Sequence, residues 1–127
     1  MRVLIAEQAP AVRFALRVAL GQQPGLSVCE VTNADELLSL VEKMRPDLVL
    51  LDWELPGIDI ENGLRGLRAP CPRLFVIALS GKEEFRQAAL AAGADEFVCK
   101  AEPPERLLAA IGECSNRERS SDRGGQK

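Results

Sequence analysis

The chain has 127 residues, enough for one ordinary core and too few for two sizeable ones. Apolar residues make up 46% of it and the formal charge is −3, which excludes a disordered polar chain and leaves no electrostatic footprint for nucleic acid. No apolar run is long enough to cross a bilayer, and the opening Met1-Arg2-Val3-Leu4-Ile5-Ala6 lacks the longer apolar segment and cleavage site of a signal peptide, so a cytoplasmic location is expected.

Strand-like and helical patterns alternate along the chain. Val3-Leu4-Ile5-Ala6 is a short continuous apolar run, as in a strand buried on both faces. After Pro10 a helix carries Val12, Ala15, Leu16, Ala19 and Leu20 on one side, and it stops before Gln22-Gln23-Pro24-Gly25. Leu26 to Val31 reads as the second strand. Asn33 followed by Glu36 predicts a capped helix start, and Leu37, Leu40, Val41 and Met44 continue it to Arg45-Pro46. Leu48-Val49-Leu50-Leu51 is the third strand and Leu55-Pro56-Gly57 a turn. Residues 59 to 68 predict a weak helix, because Gly63 and Gly66 each cost it about 1 kcal/mol relative to alanine. Leu74 to Leu79 is the fourth strand, Lys82 to Ala92 a helix stopped by Gly93, and Phe97-Val98-Cys99 the fifth strand. Pro103-Pro104 opens the last helix through Leu107, Leu108 and Ile111. Residues 1–114 thus form the domain, and the polar stretch 115–127 is expected as a tail or linker stub.

Five strands alternating with five helices predict a doubly wound α/β fold, with a parallel sheet and helices on both faces. In such sheets the functional crevice lies at the carboxyl ends of the strands. Four strand ends deliver polar groups there: Glu7-Gln8, Asp52, Ser80 and Lys100. An acidic pair suits Mg2+, a carboxylate can act as nucleophile toward phosphorus, a lysine balances charge, and a hydroxyl bonds a phosphoryl oxygen. The chain has no histidine, and Cys29, Cys71, Cys99 and Cys114 form no C-x-x-C pair, which excludes a serine–histidine or cysteine–histidine pair and disfavours zinc. Cys29 and Cys99 lie in apolar strands and are expected to be buried.

From Arg2 to about Cys114 the sequence resembles the receiver domains of two-component response regulators, through VLIAEQ, PDLVLLDWELPG, VIALSG, AAGADEFVCK and the prolines opening the final helix. The resemblance implies a flavodoxin-like five-stranded sheet of order 2-1-3-4-5. It implies Asp52 as phosphoacceptor, Ser80 and Lys100 in contact with the phosphoryl group, and Ser80 with Phe97 as the switch pair. Mg2+ would be held by Glu7, Asp52 and the Glu54 backbone carbonyl. Glu54 and Lys82, at the mouth of the pocket, would tune the lifetime of the phosphoryl group. The implied partner is a histidine kinase or phosphotransfer protein, and homodimerisation is compatible with the family. Neither nucleic acid nor membrane is expected to bind this domain, and it is not an enzyme beyond self-phosphorylation and slow autodephosphorylation.

One residue departs from the pattern. Gln8 stands where an acidic residue normally ligates Mg2+, and an amide oxygen brings no charge to a hard cation. The expected loss is about 1–3 kcal/mol of metal affinity. Two readings stay open: a phosphorylatable receiver with weakened metal binding, and a phosphate-independent pseudo-receiver that acts as a protein-interaction or dimerisation module. A flavodoxin-like cofactor site is disfavoured, since Glu7-Gln8-Ala9-Pro10 puts negative charge and a proline where a phosphate loop belongs.

Overall fold

The computed structural model describes residues 1–59 and 62–125, with the side chains of the last helix described as far as Arg117. Strands β1 (Arg2–Ala6), β2 (Ser27–Val31), β3 (Leu48–Asp52), β4 (Phe75–Ser80) and β5 (Glu96–Cys99) alternate with helices α1 (Pro10–Gly21), α2 (Ala34–Met44), α3 (Gly63–Arg68), α4 (Arg86–Ala91) and α5 (Pro104–Gly125). Every strand pair is parallel and the order is β2-β1-β3-β4-β5, as expected. The order reverses between β1 and β3, which opens a crevice at their carboxyl ends.

Strand alternation divides the interior into two layers. Leu4, Ala6, Val49, Leu51, Val76, Ala78 and Phe97 face α2, α3 and α4 through Leu37, Val41, Leu64, Leu67 and Ala89. Val3, Ile5, Leu48, Leu50, Ile77 and Val98 face α1 and α5 through Leu16, Leu20, Leu107 and Ile111. All five residues of β3 are buried, as a central strand covered on both faces requires. The register Ala6↔Leu51, Asp52↔Leu79 and Ser80↔Cys99 brings the ends of β1, β3, β4 and β5 to one edge.

Local chemistry sets the helix ends. The Asn33 side chain accepts the Glu36 N–H at 2.9 Å while its amide donates to the Glu36 carboxylate, so the cap expected from sequence forms. The helix expected over Lys82 to Ala92 opens instead as a 3-10 turn over Glu83–Phe85 before α4 begins. Within the weak helix expected over 59 to 68, α3 occupies only Gly63–Arg68, and Ile60 and Glu61 lie outside the described residues. Gly66 lies close to α2: a Cβ there would stand 3.3 Å from Leu38 Cδ2. Gly93 closes α4 with φ +109°, where any side chain would strain the backbone.

Two expectations change. The stretch from Ser115 continues α5 as helix to Gly125, anchored by Arg117, which pairs with Asp95 at 2.7 Å and lies over the Phe75 ring; residues 126–127 lie outside the described residues. Cys29 is exposed, because β2 is an edge strand with one open side, whereas Cys99 is buried. Arg68 on α3 turns inward and donates to the Gly93 carbonyl at 2.7 Å and to Asp95 at 2.8 Å. Among the described residues no helix is long and apolar enough to cross a membrane.

Candidate functional site

Glu7, one residue beyond β1, is fully buried. Its Oε2 accepts the Ala9 N–H at 3.0 Å, and Lys100 Nζ stands 2.7 Å from Oε1. Burial pushes the Glu7 carboxyl above its ordinary value, Asp52 adds to the push, and Lys100 and the Ala9 amide oppose it. Arg13 fixes the loop by donating to the carbonyls of Glu7 and Gln8, each at 2.9 Å.

Asp52 ends β3 and is also fully buried. Its Oδ1 accepts the Glu54 N–H at 2.9 Å and lies 3.3 Å from Lys100 Nζ. Its Oδ2 is buried with no donor among the described residues. Lys100 is fixed to the end of β4 by its N–H, which donates to the Ser80 carbonyl at 2.8 Å. Burial pulls the Lys100 ammonium down, but Glu7 and Asp52 outweigh it and hold the group above the ordinary lysine value. Ser80 is 1% exposed, and its Oγ accepts the Lys82 N–H at 3.0 Å, leaving its proton to donate.

The structure therefore brings Glu7, Asp52 and Lys100 into contact and sets Ser80 at the end of the neighbouring strand. Gln8 is exposed; its Nε2 donates to the Glu54 carbonyl at 3.2 Å. Lys82 and Glu54 pair at 3.5 Å with both side chains about half exposed. Trp53 packs in the layer below α2 and α3. Phe97 is completely buried, farther along β5.

Sequence reasoning missed what stands over Phe97. The Arg86 guanidinium lies 4.8 Å from the ring centroid and donates to the Phe97 carbonyl at 3.1 Å. It also pairs with Glu83 and, at 3.2 Å, with Glu102. Only the Glu83-to-Arg86 spacing was visible in sequence, as a helical i,i+3 ion pair.

The donors available to a cation are the Glu7 and Asp52 carboxylates, the Glu54 carbonyl and the Gln8 amide. Among the described residues no three metal-binding side chains cluster. Mg2+ keeps several waters, however, and needs only one or two carboxylates. Two carboxylates against one ammonium leave a negative charge uncompensated, and Asp52 Oδ2 has no donor among the described residues. The donor set fits a hydrated cation.

The family model described as "Response regulator receiver domain" matches residues 3–112. The chain belongs to the response regulator receiver domains. It is similar to the nitrate/nitrite response regulator protein NarL of Escherichia coli, 32% identical over 115 residues, which cover 86% of this chain and 52% of that protein. This receiver thus spans about half the length of that curated relative. A response regulator receiver domain protein (CheY-like) from Methanospirillum hungatei superposes with a TM-score of 0.81 at 27% identity, covering 94% of this chain and 97% of that one. The receiver domain of the sensor histidine kinase PA1611 from Pseudomonas aeruginosa, crystallised with a magnesium ion in its active-site cleft, shares the fold with a TM-score of 0.76 at 24% identity, over 88% of this chain and 94% of that one. Receivers of this family work in two-component signalling.

Proposed function

We propose that this receiver accepts a phosphoryl group on Asp52 from a histidine kinase or phosphotransfer protein, in the cytoplasm and with weakly held Mg2+. The observation that carries the reading is Asp52 Oδ2, a buried carboxylate oxygen without a donor among the described residues, beside a lysine held 3.3 Å from its partner oxygen. Oδ2 is the nucleophile: the new P–O bond forms as the donor's P–N bond breaks and the histidine nitrogen leaves. Lys100 compensates the added charge, and the Ser80 hydroxyl donates to a phosphoryl oxygen. When bound, Mg2+ supplies charge neutralisation at the incoming phosphoryl group; Glu7, Asp52 and the Glu54 carbonyl would hold it. On α1, Phe14 is 62% exposed and Val18 49%, one helical turn apart, which supports docking of a protein phosphodonor on this helix.

The test is a Mg2+ titration followed through Trp53, the only tryptophan, then addition of beryllofluoride or a small phosphodonor, with Asp52→Asn as control. The expected result is a saturable Mg2+ response and a donor-dependent change absent from the variant. No response up to tens of millimolar Mg2+, with no phosphorylated species by intact mass, sinks the reading. A second reading, a phosphate-independent interaction module, is favoured by one observation: Lys100 already bridges both carboxylates and Gln8 already occupies the Glu54 carbonyl. It predicts partner binding that Asp52→Asn leaves unchanged.

A further inference from the structure

Gln8 sits where the resemblance puts a metal ligand, yet its geometry is not that of one. The atom facing the site's edge is an amide N–H, and it donates 3.2 Å to the Glu54 carbonyl, across 46 residues of chain. The assignment of the amide is chemical: the oxygen in that place would face another oxygen with no proton between them. The contact joins the two loops that flank Asp52, since Gln8 follows β1 and Glu54 follows β3. The Gln8 carbonyl accepts from Arg13, which braces the loop from behind. A cation that used the Glu54 carbonyl would therefore meet a donor already on it.

We infer that Gln8 is a latch that competes with a divalent cation for the Glu54 carbonyl, and not a weakened metal ligand. The inference rests on the phosphoacceptor reading above, because it concerns entry of the cation to that site. An acidic residue at this place adds charge toward a cation and has no proton to give the carbonyl. A glutamine does the reverse on both counts: it withholds charge, and its N–H closes the cleft until the side chain swings away. The latch joins two exposed groups, so its hold is slight and reversible, and it sets a threshold of cation concentration.

The sign of one substitution separates latch from ligand. Gln8→Met keeps the length of the side chain and removes both its donor and its oxygen; Gln8→Ala removes the bulk as well. Mg2+ affinity is read by Trp53 fluorescence and by calorimetry in the full chain, with no phosphodonor present. As a latch, Gln8 lowers affinity, so both variants bind Mg2+ about threefold more tightly than the wild type. In the metal-free protein, amide exchange in the loops around Ala9 and Leu55 also speeds up. Weaker binding in both variants makes Gln8 a ligand and overturns the inference, while the phosphoacceptor reading survives. Unchanged affinity with unchanged exchange overturns it as well. If neither the wild type nor the variants bind Mg2+, and Asp52→Asn behaves identically, the metal-site reading falls and the latch falls with it.

Discussion

Two carboxylates without measurable exposure share one ammonium, and that ratio decides how the site responds to mutation. Lys100→Met leaves Glu7 and Asp52 buried beside each other with no cation, and removing one partner of a buried ion pair costs about 3 kcal/mol or more. The expected outcome is a lower urea midpoint by Trp53 fluorescence, largely recovered in the double variant Glu7→Gln/Lys100→Met; failure of the second change to recover stability would show that Lys100 acts through packing. The thiols give a second prediction. Burial pushes the Cys71 thiol above its ordinary value, whereas Cys29 lies exposed on the edge strand. Iodoacetamide in the folded protein should therefore modify Cys29 first, with Cys71 lagging further behind as the pH is raised toward 9 than a free thiol would. Peptide mapping that finds Cys71 modified alongside Cys29 would contradict the burial. At this scale Glu7, Asp52, Ser80 and Lys100 were legible, since each follows an apolar strand and the fold sends all such positions to one edge. The use Gln8 makes of its amide was not, because its acceptor lies 46 residues away and no local pattern links the two.

The elements were legible where a helix or strand carries its own signal. Asn33 and Glu36 announce α2, and the cap forms; Asn33→Ala should cost about 1 kcal/mol, the usual worth of such a cap, read as a shift in the urea midpoint with unchanged slope. Elements held by partners distant in sequence were less legible. The spacing of Arg68 to Arg65 and Arg73 says nothing of Gly93 and Asp95, which it binds. Its second partner, Asp95, also accepts the Val76 N–H at 2.8 Å, so α3, β4 and the α4–β5 loop meet in one staple. Between α1 and β2 a simpler clamp operates. Arg17 donates to both oxygens of Glu30, at 2.6 and 3.0 Å, and holds the Glu30 carboxyl below its ordinary value. A depressed carboxyl stabilises the fold above its unfolded value of 4.5, and the contribution is lost as the pH falls through the folded value. Arg17 is more than half exposed, so solvent screens the pair and the effect is small. Glu30→Gln should flatten the acid limb of the stability profile below pH 4.5 and leave neutral stability almost unchanged; an unaltered acid limb would remove the clamp from the account.

Across the whole molecule, the question is how an event at Asp52 reaches a surface. β3, β4 and β5 are paired side by side, so Asp52, Ser80 and Lys100 share one edge, and Phe97 lies two residues before Cys99 in the same sheet. The family resemblance leads one to expect an aromatic side chain that turns inward on activation. Here the ring is already inside, at 0% exposure, and Arg86 roofs it while tied to Glu83, Glu102 and the Phe97 carbonyl. The alternation of strands and helices foretold the sheet, but not this brace, whose contacts with Phe97 and Glu102 span 11 and 16 residues. A ring held inward without phosphate has little further to travel, so the change should begin elsewhere, at Ser80, whose Oγ accepts the Lys82 N–H and whose proton is left to donate to a phosphoryl oxygen. Hydrogen exchange resolves this. In the wild type, beryllofluoride with Mg2+ should alter exchange around Ser80 to Lys82 and leave β5 nearly as it was. Arg86→Ala should raise exchange in β5 about tenfold, as expected when a cation–π contact and a hydrogen bond over a strand are lost together. Beryllofluoride should then restore part of that protection, because the variant's ring has regained somewhere to go. Strong protection of β5 in the wild type on adding beryllofluoride, with no rise in exchange in Arg86→Ala, would return the ring itself to the role of moving part.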